Sequence, residues 1–494
     1  MSGSALVGDT GAFVTGVGFD SRLLKAGDLF ASLRGADLDG HQFIPQAIAN
    51  GASALLVENR VEANLPQIVV RDSREALAPL SARFYDQPSH QLQMVGLTGT
   101  DGKTTTSYLL DGILQAAGRR TGLIGTISIR IGPEREERLA HQTTPESNLV
   151  QRYLCEMVTA GVDTAIIEAT SHGLAMHRLD ATRFEIAGVT NITHEHLEFH
   201  KTIERYRAAK AILVERVASA GGVVVLNYDD NGARSLVQHA RGASVVWYSA
   251  DGADVDLCAR ELDVRADGSS FVLRAGSDEV HVSLPLIGHF NIANALCAAG
   301  TALAAGVGLD DVCAGLESAP GVPGRMDRIG AGQPFVVVVD YAHTPASLRK
   351  TLTLLRAFHP DGRLIVVTGS AGERDTSKRP LQGAVCAELA DISIFTNEDP
   401  RHEDPERIIR DITEGAVAQG GVVGDDILEI PDRRVAIAEA FDRAGPGDCV
   451  LLAGKGHESS IILGSAHRPW DEAAVARELL LEAGYTTSVL ERQA

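Results

Sequence analysis

The chain has 494 residues, 44% hydrophobic and 22% charged, and its 65 acidic against 45 basic side chains leave a formal charge of −20. That length exceeds one ordinary core; at about 150 residues per domain it reads as three domains within a range of two to four. The acidic balance excludes a general affinity for nucleic-acid backbone, so any phosphate site must be local, and 50 glycines with 5% aromatics favour glycine-turned α/β units over an aromatic-rich β-sandwich.

The six cysteines (Cys155, Cys258, Cys297, Cys313, Cys386, Cys449) are scattered with no Cys-x-x-Cys pair, which predicts neither a disulfide framework nor a zinc ribbon. The N-terminus has no basic segment leading into an apolar run, and no stretch of about 18 uninterrupted apolar residues occurs. The expectation is a cytoplasmic protein, neither exported nor membrane-spanning.

From Val14 to about Ser89 the pattern is a small α/β unit: "GDLFASLRG" reads as strand and turn, "HQFIPQAIANGA" as a helix closed by Gly51, and "SALLVE" as a buried strand. From Gln91 it changes to "QMVGLTGTDGKTTTSYLLDGILQAAG", an apolar strand, a glycine turn and an amphipathic helix. "TAIIEAT", "IAGVTNIT" and "GGVVVLN" read as further strands of the same parallel sheet. A third unit starts near Gly324 to Pro334, where "PFVVVVDYAHTP" feeds the helix "ASLRKTLTLLRAF" through a proline at its start. "RLIVVTGSAGERD", "ISIFTNEDP" and "CVLLAGKGHES" repeat that design, so ligand groups should gather at the carboxyl ends of one sheet. The fold class is therefore α/β, with a central phosphate-loop domain at 91–325, a small α/β domain at 1–90 and a Rossmann-like domain at 326–494. No repeat or coiled coil is present, and "SVLERQA" reads as a polar tail.

The loop "GLTGTDGKTTT" ends in the Gly-Lys-Thr of a nucleotide site but has Leu97 where the common spacing wants glycine. Gly99 and Gly102 still allow tight turns and a close backbone approach to phosphate, and the following helix aims its positive end there. Lys103 can reach terminal phosphates, and the Thr104 hydroxyl can ligate magnesium. In "IIEATSHGL", Glu168 ends an apolar strand, where an unpaired buried carboxylate would cost several kcal/mol; a magnesium ion would offset that cost, and simple solvation at the strand end is the alternative. "NITHEHLEFH" clusters His194, His196 and His200, compatible with a metal site, a phosphate site or polar surface; zinc is disfavoured by the lack of a nearby cysteine or fourth histidine. Lys210, judged from its residue type alone, is an ordinary helix-surface lysine.

Together these motifs resemble the Mur ligase family, most closely its MurE type, over nearly the whole chain. The family loop Gly-Thr-Asn-Gly-Lys-Thr-Thr is matched by Gly99, Thr100, Asp101, Gly102, Lys103, Thr104 and Thr105, with Asp101 the departure. "FDSRLLKAGDLFASLRGADLDGHQFI" resembles the uridine-binding N-terminal domain and implies that Ser21 touches the UDP moiety. "TTPES" places Thr143 and Thr144 on the muramoyl-dipeptide. "EATSHGLAMHR" implies Glu168 as a magnesium ligand and Thr170 and Arg178 as substrate contacts, with Met176 where the family has glutamine. In "THEHLEFHKTIERYRAAKAIL" the resemblance implies His196 as a magnesium ligand and Lys210 as a carbamylated lysine, whose carboxylate-like group could help hold the cation. "GHFNIANALCA", "GRMDRI" and "VDYAHTP" supply Asn291, Asn294, Arg325, Asp340 and His343 around ATP.

The implied activity is an ATP-dependent amide-bond-forming ligase of peptidoglycan synthesis, acting with magnesium. It would add a free diamino acid to UDP-N-acetylmuramoyl-L-alanyl-D-glutamate through an acyl phosphate, with Lys103, His196 and Lys210 serving catalysis. The amine would be held by Arg374, Asp399, Arg401, Gly454 and Glu458. Where the diaminopimelate signature is Asp-Asn-Pro-Arg, this chain has Glu398-Asp399-Pro400-Arg401. An anion at Asp399 would attract a distal ammonium, favouring lysine or ornithine, whereas Arg401 would grip a distal carboxylate and keep meso-diaminopimelate open. A folylpolyglutamate-synthetase-like ligase is opposed by the N-terminal domain and "TTPES". A P-loop switch is opposed by the lack of an Asn-Lys-x-Asp box. A monomer without nucleic-acid or membrane partners is expected.

Overall fold

The computed structural model describes residues 4–9, 11–35, 38–132, 138–139, 142–193 and 195–486; His194 and the terminal "SVLERQA" lie outside them. The chain divides into two compact units, one of residues 1–263, 270–284 and 289–319, the other of 264–269, 285–288 and 320–494. No helix among the described residues is long and apolar enough to cross a membrane.

In the first unit, a five-stranded sheet runs in the order Ala5–Val7, Gln67–Val69, Ala54–Val57, Asp28–Ala31, Gly16–Gly18, parallel except for its first strand. The helix expected over "HQFIPQAIANGA" is present in shorter form as Ile44–Ala49, preceded by a 3-10 turn at Gly40–Phe43, with Pro45 in its first turn, where its missing N–H costs nothing.

The larger sheet has at its heart five parallel strands in the order Val223–Asn227, Ile186–Val189, Gln93–Thr98, Thr164–Glu168, Thr121–Ile124. Their runs of Val, Ile and Leu are buried on both faces, as a parallel sheet covered by helices requires. After Gln93–Thr98 the chain builds strands on one side of it and then crosses to Ile186–Val189 on the other. The direction of winding therefore reverses at Gln93–Thr98, and its carboxyl end opens into the crevice where such sheets bind ligands.

The second unit carries a six-stranded sheet in the order Asp327–Ile329, Val336–Asp340, Cys449–Ala453, Leu364–Thr368, Ile392–Phe395, Ile427–Glu429, parallel except for the first. Alternate residues serve opposite faces. Val338, Val366 and Leu451 pack with Leu348, Leu352 and Ile412, whereas Val337, Val339, Ile365 and Leu452 pack with Ile437, Phe441 and Leu480. The helix after Val336–Asp340 is Pro345–Phe358, opened by a reciprocal Thr344–Ser347 capping box.

Helices Lys378–Leu389 and Pro405–Ala418 touch through two glycines. A Cβ on Gly383 would stand 1.9 Å from the Ile412 carbonyl oxygen, and one on Gly415 1.8 Å from that of Pro380. Backbone cannot yield as a flexible side chain can. Gly415→Ala is therefore expected to destabilise the second unit by about 1–3 kcal/mol through overpacking, seen as a lowered thermal midpoint; an unchanged melt would refute the close contact.

Candidate functional site

The phosphate-type loop leaves Gln93–Thr98 and enters helix Lys103–Ala116 directly at Gly102. Both loop glycines are required. A Cβ on Gly99 would stand 1.8 Å from the Thr190 hydroxyl, and Gly102, at φ +84°, would bring one within 2.2 Å of Asn294 Oδ1. The Asp101 backbone is fixed by Asn191, whose Oδ1 accepts from its N–H at 2.9 Å, and by the Thr190 hydroxyl donating to its carbonyl at 2.6 Å. Lys103 Nζ donates to the carbonyls of Gly99 and Thr100 at 2.9 and 2.8 Å. Asn294, against Gly102 of the loop, donates to Asn291 Oδ1 at 3.1 Å, and both asparagines are buried. Thr105 is buried in the first turn of the helix.

Glu168 ends its strand fully buried. Its Oε2 accepts from the hydroxyls of Thr104 and Thr126, both at 2.9 Å, and its Oε1 from the Thr126 N–H at 3.0 Å. The carboxylate is thus solvated by protein donors, which answers the cost of burying it. Thr126 completes this shell, and its one sequence signal is a threonine just beyond the end of strand Thr121–Ile124. Carboxylate and hydroxyl oxygens are the donor chemistry that magnesium prefers.

Lys210 departs from the expectation for its residue type. It is 1% exposed rather than on a helix surface, because Tyr206 and Lys210 lie four apart on the inward face of Ile203–Ser219. Its Nζ donates to the Gly99 carbonyl at 2.6 Å and lies 4.6 Å from the centre of the Tyr206 ring. Burial, and next the charge of Lys103, hold its pKa well below the ordinary lysine value. Tyr206 in turn shares a 3.0 Å hydrogen bond with Thr100 of the loop.

The histidines assemble differently from their sequence cluster. His172 sits with its ring centre 4.7 Å from that of His196 and 5.5 Å from that of His200, against Phe199, and it is His196 and His200 that neighbour the Tyr206 ring. His196 adopts φ +55° and its side chain is 41% exposed, whereas His200 is buried. Among the described residues no group of three His, Cys, Asp or Glu stands ready to hold a metal. His172 was visible in "TSHGL" but carried no separate signal.

The residues matched to the dipeptide gather around Glu168. Thr144 donates to the Glu168 carbonyl at 2.7 Å and meets the Thr170 hydroxyl at 2.9 Å, while Thr143 meets Thr126 at 3.1 Å. Arg178 donates to the Thr144 carbonyl at 3.0 Å and pairs with Glu146 at 3.1 Å. Its other partner is Met176, where the thioether replaces an amide. Glu146 also pairs with Arg74 at 2.6 Å. Ser21 is apart from this group: it is buried, its hydroxyl donating to Gln46 at 2.8 Å.

In the second unit, Asp340 is buried at its strand end and accepts from the N–H groups of Met326 and Ala342, both at 2.9 Å; burial raises its pKa. Arg325 lies over Tyr341, and the rings of His343 and His457 lean on the same tyrosine. Burial depresses the His457 pKa to about 3.

Next to this cluster in the sheet order, the loops after Ile392–Phe395 and Cys449–Ala453 meet. Lys455, fully buried, pairs with Asp399 at 2.9 Å and Glu458 at 2.6 Å. Asp399 also accepts from the Ile462 N–H at 2.9 Å. Asp399 is therefore not a bare anion: Lys455, 56 positions away, pairs with it while also pairing with Glu458. Glu398 lies beside Gly454, where a Cβ would stand 2.8 Å from its Oε2, an atom with no hydrogen-bond partner among the described residues. Burial raises the pKa of both Glu398 and Glu458. Neither Glu398 nor Lys455 was singled out from the sequence, although "GKGHE" placed the lysine between glycines. Arg401 is held by its backbone to Ile462 and Gly464, and Arg374 is exposed on a loop tied to this one by the Gly372 N–H donating to the Asp399 carbonyl at 2.8 Å.

Comparison with known proteins matches three family models in order along the chain. They are the Mur ligase family catalytic domain at residues 13–85, the Mur ligase middle domain at 97–302 and the Mur ligase glutamate ligase domain at 324–456. A UDP-N-acetylmuramyl-tripeptide synthetase of Roseiflexus sp. (strain RS-1) is 45% identical over 96% of this chain and 95% of its own. A UDP-N-acetylmuramoyl-L-alanyl-D-glutamate--2,6-diaminopimelate ligase of Bacillus velezensis is 40% identical over 95% of this chain and 94% of its own. A solved structure of a ligase with that same name is 31% identical, covers 96% of each chain and superposes with a TM-score of 0.66. With glycine loop, buried carboxylate and three successive domain matches in one chain, this protein belongs to the Mur ligase family.

Proposed function

We propose that this chain joins a free diamino acid to UDP-N-acetylmuramoyl-L-alanyl-D-glutamate at the expense of ATP. The observation that carries this reading is the convergence on one glycine loop of a buried carboxylate, Glu168, and a buried lysine, Lys210. The substrate's D-glutamyl side-chain carboxylate attacks the γ-phosphorus of ATP, releasing ADP and leaving an acyl phosphate. The amine then attacks the acyl carbon, expelling phosphate and losing a proton as the amide forms.

The protein's part in the first step is positioning and electrostatics, with no enzyme nucleophile. Gly99, Thr100, Asp101 and Gly102 present backbone to the phosphates, and the ammonium of Lys103 offsets charge on the transferring group. Thr104, Glu168, His196 and a carbamylated Lys210 would hold magnesium. Bound there, the ion would neutralise charge on the phosphate oxygens. A depressed pKa leaves Lys210 a larger neutral fraction at a given pH than an ordinary lysine, and the neutral amine is the form that adds carbon dioxide. Thr143, Thr144, Thr170 and Arg178 hold the dipeptide, Ser21 the UDP moiety, and Asn291, Asn294, Arg325, Asp340 and His343 the nucleotide.

Arg374, Asp399, Arg401, Gly454 and Glu458 receive the amino acid. With Asp399 paired to Lys455, which also serves Glu458, the repulsion that argued against a distal carboxylate is reduced. That observation favours meso-diaminopimelate as a second reading beside lysine and ornithine, and the relatives named for 2,6-diaminopimelate accord with it.

Phosphate release from ATP should require UDP-muramoyl-dipeptide and rise several-fold with one of lysine, ornithine or meso-diaminopimelate. Stimulation by none of the three would reject the ligase. Lys210→Ala and Lys210→Arg should each lower kcat by about 10²-fold or more, and a short carboxylate such as acetate should partly restore the alanine variant. Wild-type enzyme freed of carbon dioxide should regain activity with bicarbonate and, when dissolved carbon dioxide is held constant, do so faster as pH rises and the amine loses its proton. Full activity in Lys210→Arg would remove carbamylation from the mechanism.

A further inference from the structure

We propose that Arg433 is a positioning residue for the incoming diamino acid, holding the two loops of its subsite at a fixed separation; this rests on the function proposed above. Arg433 opens helix Arg433–Arg443, and Glu472 opens helix Glu472–Glu482. Their side chains are 1% and 0% exposed and pair at 2.6 Å. The guanidinium does more than neutralise this carboxylate. Its Nη2 donates to the Ala453 carbonyl at 2.8 Å and its Nη1 to the Asn397 carbonyl at 3.3 Å. Asn397 directly precedes Glu398-Asp399-Pro400-Arg401, and Ala453 directly precedes Gly454-Lys455-Gly456-His457-Glu458. One planar group therefore joins the roots of both loops to the starts of two helices.

A well-packed apolar pair could fill the same volume without the cost of burying two ions. It could not bond two carbonyls while facing a carboxylate, which a fork of five fixed donors can. Lysine retains the charge but lacks the fork. Glu472 is itself held by the Trp470 Nε1–H at 2.5 Å, and Trp470 by the Ser459 carbonyl, just beyond the second loop. The assembly behaves as a brace from behind: its hydrogen bonds go to loop roots and helix starts.

Steady-state kinetics of the full chain test this, with the amino acid that stimulates the wild type. Arg433→Lys should raise KM for the diamino acid about tenfold, the lower end for residues that orient a site from outside, with KM for ATP and for UDP-muramoyl-dipeptide within about twofold of wild type. Glu472→Gln should show the same split more weakly. In either variant that folds, an unchanged KM for the diamino acid overturns the proposal. Loss of folding in both also overturns it, leaving the pair a purely structural element. A wild-type enzyme that no diamino acid stimulates would instead indict the underlying function, so the two failures are distinguishable.

Discussion

The hydrogen bond from Lys210 to the Gly99 carbonyl joins the phosphate-type loop to a helix that begins more than a hundred residues later. Much of the site follows from it. To bury an amine there, Ile203–Ser219 must turn Tyr206 and Lys210 inward, and Tyr206 then meets Thr100. The loop can accept this approach because Gly99 and Gly102 have no side chains to collide with Thr190 and Asn294. On the opposite side, the threonine hydroxyls around Glu168 do for an anion what the Gly99 carbonyl does for the amine. A carboxylate and an amine are thus desolvated at the ends of two neighbouring strands, each by its own hydrogen-bond partners.

What the sequence disclosed divides along physical lines. The loop was legible because glycine, lysine and threonine between an apolar strand and an amphipathic helix perform local tasks. Glu168 was legible because an acid ending an apolar strand needs an explanation. Burial of Lys210 was not, since a lysine in a polar helix normally faces water and the inward turn is decided by tertiary packing. Asp399 shows the same limit more sharply: its partner Lys455 comes from a different strand end, so the sequence presents an anion open to a ligand's ammonium where the fold has one buried lysine shared with Glu458. Strands Leu257–Arg265, Gly268–Ala275 and Asp278–Leu284 leave a weaker signal, because their partly exposed faces carry polar residues in place of the glycine-ended apolar runs that mark buried parallel strands.

The second unit repeats one solution at each strand end. Asp340 accepts from backbone N–H groups and Lys455 lies between two acids, while Arg433 faces Glu472 and two carbonyls. Charges are thereby arranged inside the carboxyl edge of the sheet, with glycines beside them giving room. Glu398 is the exception, a buried acid with one oxygen lacking a partner among the described residues, and burial raises its pKa despite the charges of Lys378, Lys455 and Arg433.

Glu146 offers a different lesson. This one carboxylate receives Arg74, from the helix Ser73–Phe84, and Arg178, which also reaches Thr144. All three side chains are largely sheltered from water. The acid is therefore a counter-ion shared by two guanidinium groups that would otherwise repel. Replacing it by an amide would leave the two guanidinium groups facing each other without a counter-ion, turning an ionic clasp into a wedge between helix Ser73–Phe84 and the contact of Arg178 with Thr144.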